Sequence, residues 1–378
     1  MKKLLTIVLT VSMLASSFAA INVAAEKSDD LSSYENVAIS EIEEILGESY
    51  SQFYDINSVV SEAKNSEMQG NVFTTEVHTT LNTVLKADSV VELPYVQGML
   101  EVSGVSKLDA CKDDITPITI TANINENKKL EVAKAIEKKL SDLEEYIGTS
   151  SDNNFWLYVE AEVIDGELNL DTMSIMAENI DRLIPIEDIL PASASEQKLN
   201  GVAAMKAVIN APTTSISTSS TATSRAYADY RRIAARDYAL SFVGSNVTTC
   251  YAHGTSCGVR QDPTYYNANF SYYQHNDCAN FVSQCLNAGD VWEDSVWYPT
   301  SYAWINTQGL KNHMLNTKGY WYTSNFANAN AGAVLYTSSS HVVLITLNDT
   351  VTHKYTGHTN DRYNVTFTNQ SGYAYYML

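Results

Sequence analysis

The spacing of apolar and polar positions divides the chain into helical and extended stretches. Ala38, Ile42, Ile45 and Leu46 recur at helical spacing, and Gly47 is expected to end that helix. Phe73, Val77, Leu81 and Leu85 share one parity with Thr75, Thr79 and Thr83, while Glu76, His78, Thr80 and Asn82 take the other. That alternation predicts a long half-exposed strand with His78 on its solvent side. Leu130, Ala133, Ile136, Leu140, Leu143 and Ile147 mark an amphipathic helix closed by Gly148. Phe155, Leu157, Val159, Ala161 and Val163 alternate as a strand, and Asp165-Gly166 supplies a hairpin turn. Together these predict a small antiparallel sheet packed by helices, an α+β fold. No chemical constellation stands out in this stretch, and Cys111 reads as an inert loop cysteine.

From Ala192 to Ser224 the chain turns to Ala, Ser and Thr without periodicity, which predicts a flexible tether. Tyr227, Tyr230, Ala234 and Tyr238 then open a helix. Asp277 is placed as an N-cap, Phe281, Val282, Cys285 and Leu286 form an apolar stripe, and Gly289 sits at the helix end. A short strand over 333–336 precedes a second that opens at His341, a turn at Asn348-Asp349 and a return strand reaching His358. A two-residue turn there sets His341 opposite Thr356. His358 would then share the face of His341 as a diagonal neighbour, and His353 would point away.

Charge changes this picture by dividing the chain. Its 378 residues carry 24 Lys+Arg against 44 Asp+Glu, a net charge of −20. Residues 225–378 hold nine of each sign, so the whole excess lies upstream, whereas 18 of the 24 tyrosines lie downstream. Two compositions read as two domains. The acidity excludes phosphate-backbone binding and disfavours anionic wall polymers. A cation, a partner protein or the downstream half itself fits the acidic half better. Lys2 and Lys3, the apolar run from Leu4 to Leu14 and Val23-Ala24-Ala25 form a signal peptide cut after Ala25. The mature protein is therefore expected to be secreted or wall-associated, with no stable membrane insertion. The expected organisation is signal peptide 1–25, acidic α+β domain 26–191, linker 192–225 and C-terminal domain 226–378.

Five cysteines in an exported chain leave at least one free thiol. Cys278 would occupy the first turn of its helix, where the dipole favours a thiolate, and His341 is the natural proton partner. Cys285 reads as a core residue. Cys250, His253 and Cys257 lie three and four positions apart, a metal-ligand spacing, but no fourth ligand is evident. A Cys250–Cys257 disulfide or two ordinary thiols is the expectation, with no metal and no cofactor.

The segment Asp277 to Gly289, the Tyr-rich helix before it, His341-Val342-Val343 and Gly357-His358-Thr359-Asn360-Asp361-Arg362 together resemble the Putative amidase domain family. These are secreted, mainly Gram-positive proteins of the papain-like superfamily, related to NlpC-type cell-wall peptidases. The resemblance covers about 226–378. It implies a papain-like cysteine hydrolase in which Cys278 is the nucleophile, His341 the base and His358 the polar residue that orients it. Asp277, Asn280, Asn360 and Asp361 are supporting or oxyanion candidates. The implied substrate is a cell-wall peptide or another amide. Two departures are Gly332-Ala333, where relatives have Gly-Asp, and Gly289-Asp290 in place of a Gly pair. The alternative is a non-catalytic surface-binding module that retains the fold. Trp292, Trp297, Trp304 and Trp321 could line a groove, but packing is the expectation for them.

Overall fold

A computed structural model describes residues 31–105, 120–212 and 230–378. The expected signal peptide, Cys111, Tyr227 and residues 213–225 of the expected tether lie outside the described residues.

Helix α1 (Ser32–Tyr50) buries Ala38, Ile42, Leu46 and Tyr50 on one face and runs straight through Gly47. A mid-helix glycine costs about 1 kcal/mol. Carrying the stripe one turn further buries the Tyr50 ring against Tyr54 and Phe155, at 5.6 and 5.8 Å between centroids, and outweighs that cost. Strands β1 (Tyr54–Gln69) and β2 (Val72–Leu85) follow, then α2 (Pro94–Ser103) and α3 (Glu126–Glu144). β2 buries Phe73, Val77, Leu81 and Leu85 as its parity requires. β3 (Ser151–Ile164) turns into β4 (Glu167–Leu168) through Asp165 and Gly166, both at positive φ. β5 (Ser174–Glu178) and β6 (Leu183–Pro185) complete this half.

Ala194–Asn210, inside the expected tether, is a helix, α4. Ser193 and Glu196 form a reciprocal capping box at its start. α4 crosses α2 with almost no space between backbones. A Cβ at Gly98 would lie 2.0 Å from the Lys198 carbonyl oxygen, and one at Gly201 would lie 1.9 Å from that of Tyr95. Gly201 of the expected tether and Gly98 of α2 are what allow this contact.

Beyond it come α5 (Arg232–Ser241), α6 (Cys278–Ala288) and strands β7 (Tyr322–Ser324), β8 (Val334–Tyr336), β9 (Val342–Asn348), β10 (His353–Gly357), β11 (Arg362–Phe367) and β12 (Ala374–Met377). The protein is a mixed α+β structure whose sheet runs through both halves in the order β1-β2-β3-β11-β10-β9-β8-β12-β7. The halves meet where β11 pairs parallel to β3, at Val365 and Asn154.

Opposite charges line that seam. Arg362 makes a bidentate ion pair with Glu178 at 2.6 Å on each arm. Arg260 pairs with Glu76, and Arg232 pairs with Asp142 and Glu145. Trp156 lies under both guanidiniums, 4.6 Å from Arg362 and 5.0 Å from Arg260, and stacks on His78 at 4.5 Å. His78 is therefore buried, contrary to its expected place at the surface. Its strand face is polar because it meets the other half of the chain rather than water.

The β9–β10 register also departs from expectation. The hairpin does not turn at Asn348-Asp349, since Asn348 pairs with His353 around a loop of residues 349–352. The Asp349 carboxylate builds that loop by accepting the N–H groups of Val351 and Thr352 at 3.0 and 2.8 Å. Thr346 is bulged out, and Thr356 pairs with Leu344. β10 ends at Gly357, so His358 lies past the ladder in a turn, and the register that sets Thr356 against Leu344 gives it the parity of Val342 and not that of His341.

Candidate active site

Cys278 is the first residue of α6, and Asp277 precedes it. The Asp277 carboxylate does not cap the helix. Its Oδ1 accepts the Tyr273 N–H at 2.7 Å and the Asn280 amide at 2.9 Å, while Oδ2 takes the His358 ring at 2.7 Å. Cys278 is half-buried, and the backbone N–H groups of Val342 and Ala279 and the Thr359 hydroxyl lie near enough to its sulfur to hold the thiol down. Burial nevertheless pushes the thiol above its ordinary range, and Asp277 adds to this. The helix start therefore carries a neutral thiol at rest, not the ready thiolate expected from the dipole. Thr359 also accepts the Asp277 N–H at 2.9 Å, and it holds φ at +90°. A β-branched residue there is a genuine outlier, a form of strain that gathers at functional positions. Sequence reasoning missed Thr359, and its only signal was its place beside His358.

His341 is one peptide unit from the Val342 N–H that faces the Cys278 sulfur. Its ring points along β10, with Nε2 4.0 Å from where a Cβ would lie on Gly357. Among the described residues, no hydrogen bond joins it to Cys278. Burial lowers its imidazole to about 4; the Asp181 and Glu178 carboxylates oppose this and Arg362 reinforces it. It is a neutral imidazole at physiological pH.

His358 sits elsewhere. It is fully buried, sandwiched between Tyr266 and Phe281 at 3.7 and 3.8 Å. Nδ1 meets Asp277 Oδ2 and Nε2 meets the Phe242 carbonyl, each at 2.7 Å. A carbonyl only accepts, so Nε2 donates to it, and Nδ1 faces the Asp277 carboxylate. Neither nitrogen is open to a thiol, and the ring contacts Asp277 rather than His341. His353 is stacked on Phe326 and bonded to that residue's carbonyl oxygen, away from Cys278.

The supporting candidates tie loops to the helix start. Asn280 also reaches the Ser271 carbonyl and accepts the Trp304 indole N–H at 2.9 Å. Asn360 accepts the Arg260 N–H at 3.0 Å, and Asp361 accepts the Asp262 N–H at 2.9 Å and the Tyr266 hydroxyl. Among the described residues, neither is hydrogen-bonded to His341. Trp297, Trp304 and Trp321 are core residues, whereas Trp292 is 70% exposed.

Residues 229–378 match the family described as Putative amidase domain. The matched segment contains Cys278, His341 and His358, and it supports amide hydrolysis as the reaction class. A Bacillus subtilis (strain 168) relative described as "Uncharacterized protein YjcM" is 40% identical over 53 residues, 14% of this chain and 13% of its own length. The chain thus matches only a small part of that relative. No solved structure matches the chain.

The buried histidines predict a pH response of the whole fold. Burial lowers the rings of His78 and His341 to about 4 and that of His353 to about 3, from an ordinary 6.5. At pH 5 each is neutral when folded and protonated when unfolded, so the unfolded chain binds more protons. Stability therefore falls as pH drops from 6.5 toward 4. Burial raises the Asp361 carboxyl from 3.8 to about 6, which works the other way within that window. Burial also lowers His313 and raises Asp349, so four histidines against two carboxyls leave roughly two protons, on the order of 2–3 kcal/mol per pH unit. The urea midpoint should decline steadily from pH 6.5 to 4.5; a flat profile would contradict the buried neutral rings.

Proposed function

We propose that the C-terminal half is an exported, papain-like cysteine amidase or peptidase that cleaves amide bonds in cell-wall peptides. The observation that carries this reading is Cys278, the first residue of a helix, with the Val342 and Ala279 N–H groups and the Thr359 hydroxyl near its sulfur, inside a segment matching an amidase family. His341 is the base, because no hydrogen bond among the described residues commits its ring nitrogens and its ring is neutral above about pH 4. The raised thiol fits general-base activation. His341 takes the Sγ proton as sulfur attacks the carbonyl carbon, and the Ala279 and Val342 N–H groups hold the oxyanion. The same imidazole returns the proton to the departing amine, and water then cleaves the thioester. His358 and Asp277 fix the helix start rather than exchange protons.

The test is digestion of purified wall fragments with the mature protein, reading products by mass. New amino and carboxyl termini at a defined bond would identify the substrate. If neither wall fragments nor a panel of peptides yields new termini, the enzyme reading fails and a binding module remains.

A further inference from the structure

The loop before α6 carries a second cluster with no part in that chemistry. Cys250, His253, Cys257 and His275 each offer one ligand atom, and these atoms all lie within 4.8 Å of one another. The Cys250 sulfur lies 3.4 Å from His275 Nε2 and 3.8 Å from His253 Nδ1. A tetrahedral ion with Zn–S near 2.3 Å and Zn–N near 2.0 Å needs sulfur–nitrogen edges of about 3.5 Å. Both cysteines are free thiols, the second of the two states expected for them, and not a disulfide. We propose that Cys250, His253, Cys257 and His275 form a structural zinc site that anchors the loop to the nucleophile helix.

Three further observations support a held ion. Residues 243–277 form a long connection whose only helical turn is Pro263–Tyr265. Connections of that length in a compact domain need an anchor. Yet this one must hold Tyr266 against His358 and bring the Tyr273 N–H to Asp277. His275 adopts φ +63°, an uncommon conformation for a non-glycine residue. Its backbone N–H donates to Gln261 Oε1 at 2.9 Å, and the Gln261 carbonyl accepts the Tyr251 N–H at 2.8 Å, so the ligands rest on a second layer of hydrogen bonds.

The donor set selects the metal and its role. Two thiolates and two neutral imidazoles cancel a divalent charge and suit tetrahedral zinc. Four protein ligands leave no open position for water or substrate, which marks a structural ion rather than a catalytic one. His275 precedes Cys278 by three residues, so the ion would fix the chain entering α6. Metal binding releases the two thiol protons to solvent and involves no redox step.

The test uses the full mature chain isolated under reducing conditions without chelator. Elemental analysis should find one zinc per chain in the wild type and in Cys278→Ala. Cobalt added to the apoprotein should give tetrahedral d–d absorption and thiolate-to-cobalt charge transfer, saturating at one equivalent. His253→Ala and Cys257→Ser should weaken cobalt binding on the order of a hundredfold or more. The His253 side chain is exposed, so its removal does not disturb the core, and circular dichroism of the apo variant would verify this. Absence of metal together with a Cys250–Cys257 disulfide, unchanged affinity in His253→Ala, or iron in place of zinc would each overturn the proposal.

Discussion

Cys278→Ala should reduce amide hydrolysis on the order of 10⁴-fold or more while leaving the thermal midpoint nearly unchanged. The size follows from nucleophilic catalysis, where the covalent route vanishes and only substrate binding and oxyanion contacts remain. The fold survives because Cys278 is half-buried and Ala keeps the helix start. His341→Ala should cost about 10²–10⁴ in kcat, the usual contribution of a general base. Because burial holds the His341 ring near 4, the acid limb of kcat/KM should fall near pH 4 rather than 6.5. His358→Ala should behave differently. It strips the Asp277 carboxylate of its buried partner and removes a ring packed between Tyr266 and Phe281, which costs about 3–5 kcal/mol of stability. Urea unfolding and initial rates on the three variants separate these roles. Hydrolysis retained in Cys278→Ala would end the nucleophile assignment. A stable, folded His358→Ala that has lost its activity would give that ring the chemistry assigned here to His341.

What was legible in the chain follows the range of the forces involved. The α6 stripe, the parity of β2 and the Asp165-Gly166 turn are local consequences of periodicity and turn chemistry, and they stand where the pattern places them. α4 escaped because the face it turns to α2 buries Gln197 and Gly201 with only Met205 as a large apolar residue, and Gly98 of α2 meets it backbone to backbone, so little hydrophobic period is left to read. The β9–β10 register escaped because the Asp349 carboxylate builds a four-residue loop and its Oδ2 is held by the Tyr54 hydroxyl, 2.7 Å away and from the opposite half. His275 could not be joined to Cys250 and Cys257 by spacing, since only the folded loop returns it to them. The polar face of β2 looked solvated because Arg260 and Arg362, which cover its neighbourhood, lie far downstream.

Those same residues give the second large effect. The uneven charge along the sequence suggests two bodies on a tether, but in the folded chain the acidic half receives much of the basic complement of the other. Five of the nine Lys and Arg after residue 224 reach it: Arg232, Arg236, Arg260, Lys354 and Arg362. Trp156 packs into an apolar cluster with Val365, Tyr355 and Phe367, and β3 pairs with β11. A protease site engineered within 213–224 and cut to completion should therefore leave the halves associated, eluting as one species of unchanged size until urea is added. Trp156→Ala should cost about 3–5 kcal/mol through the lost ring and its two guanidinium contacts, a large fraction of typical domain stability. Removing Glu178 as well would strand the buried Arg362 guanidinium, so the cut double variant should separate on gel filtration. Two native-like fragments eluting apart after cleavage of the wild type would show the seam to be too weak to join the halves, and the acidic half would then be an independent domain.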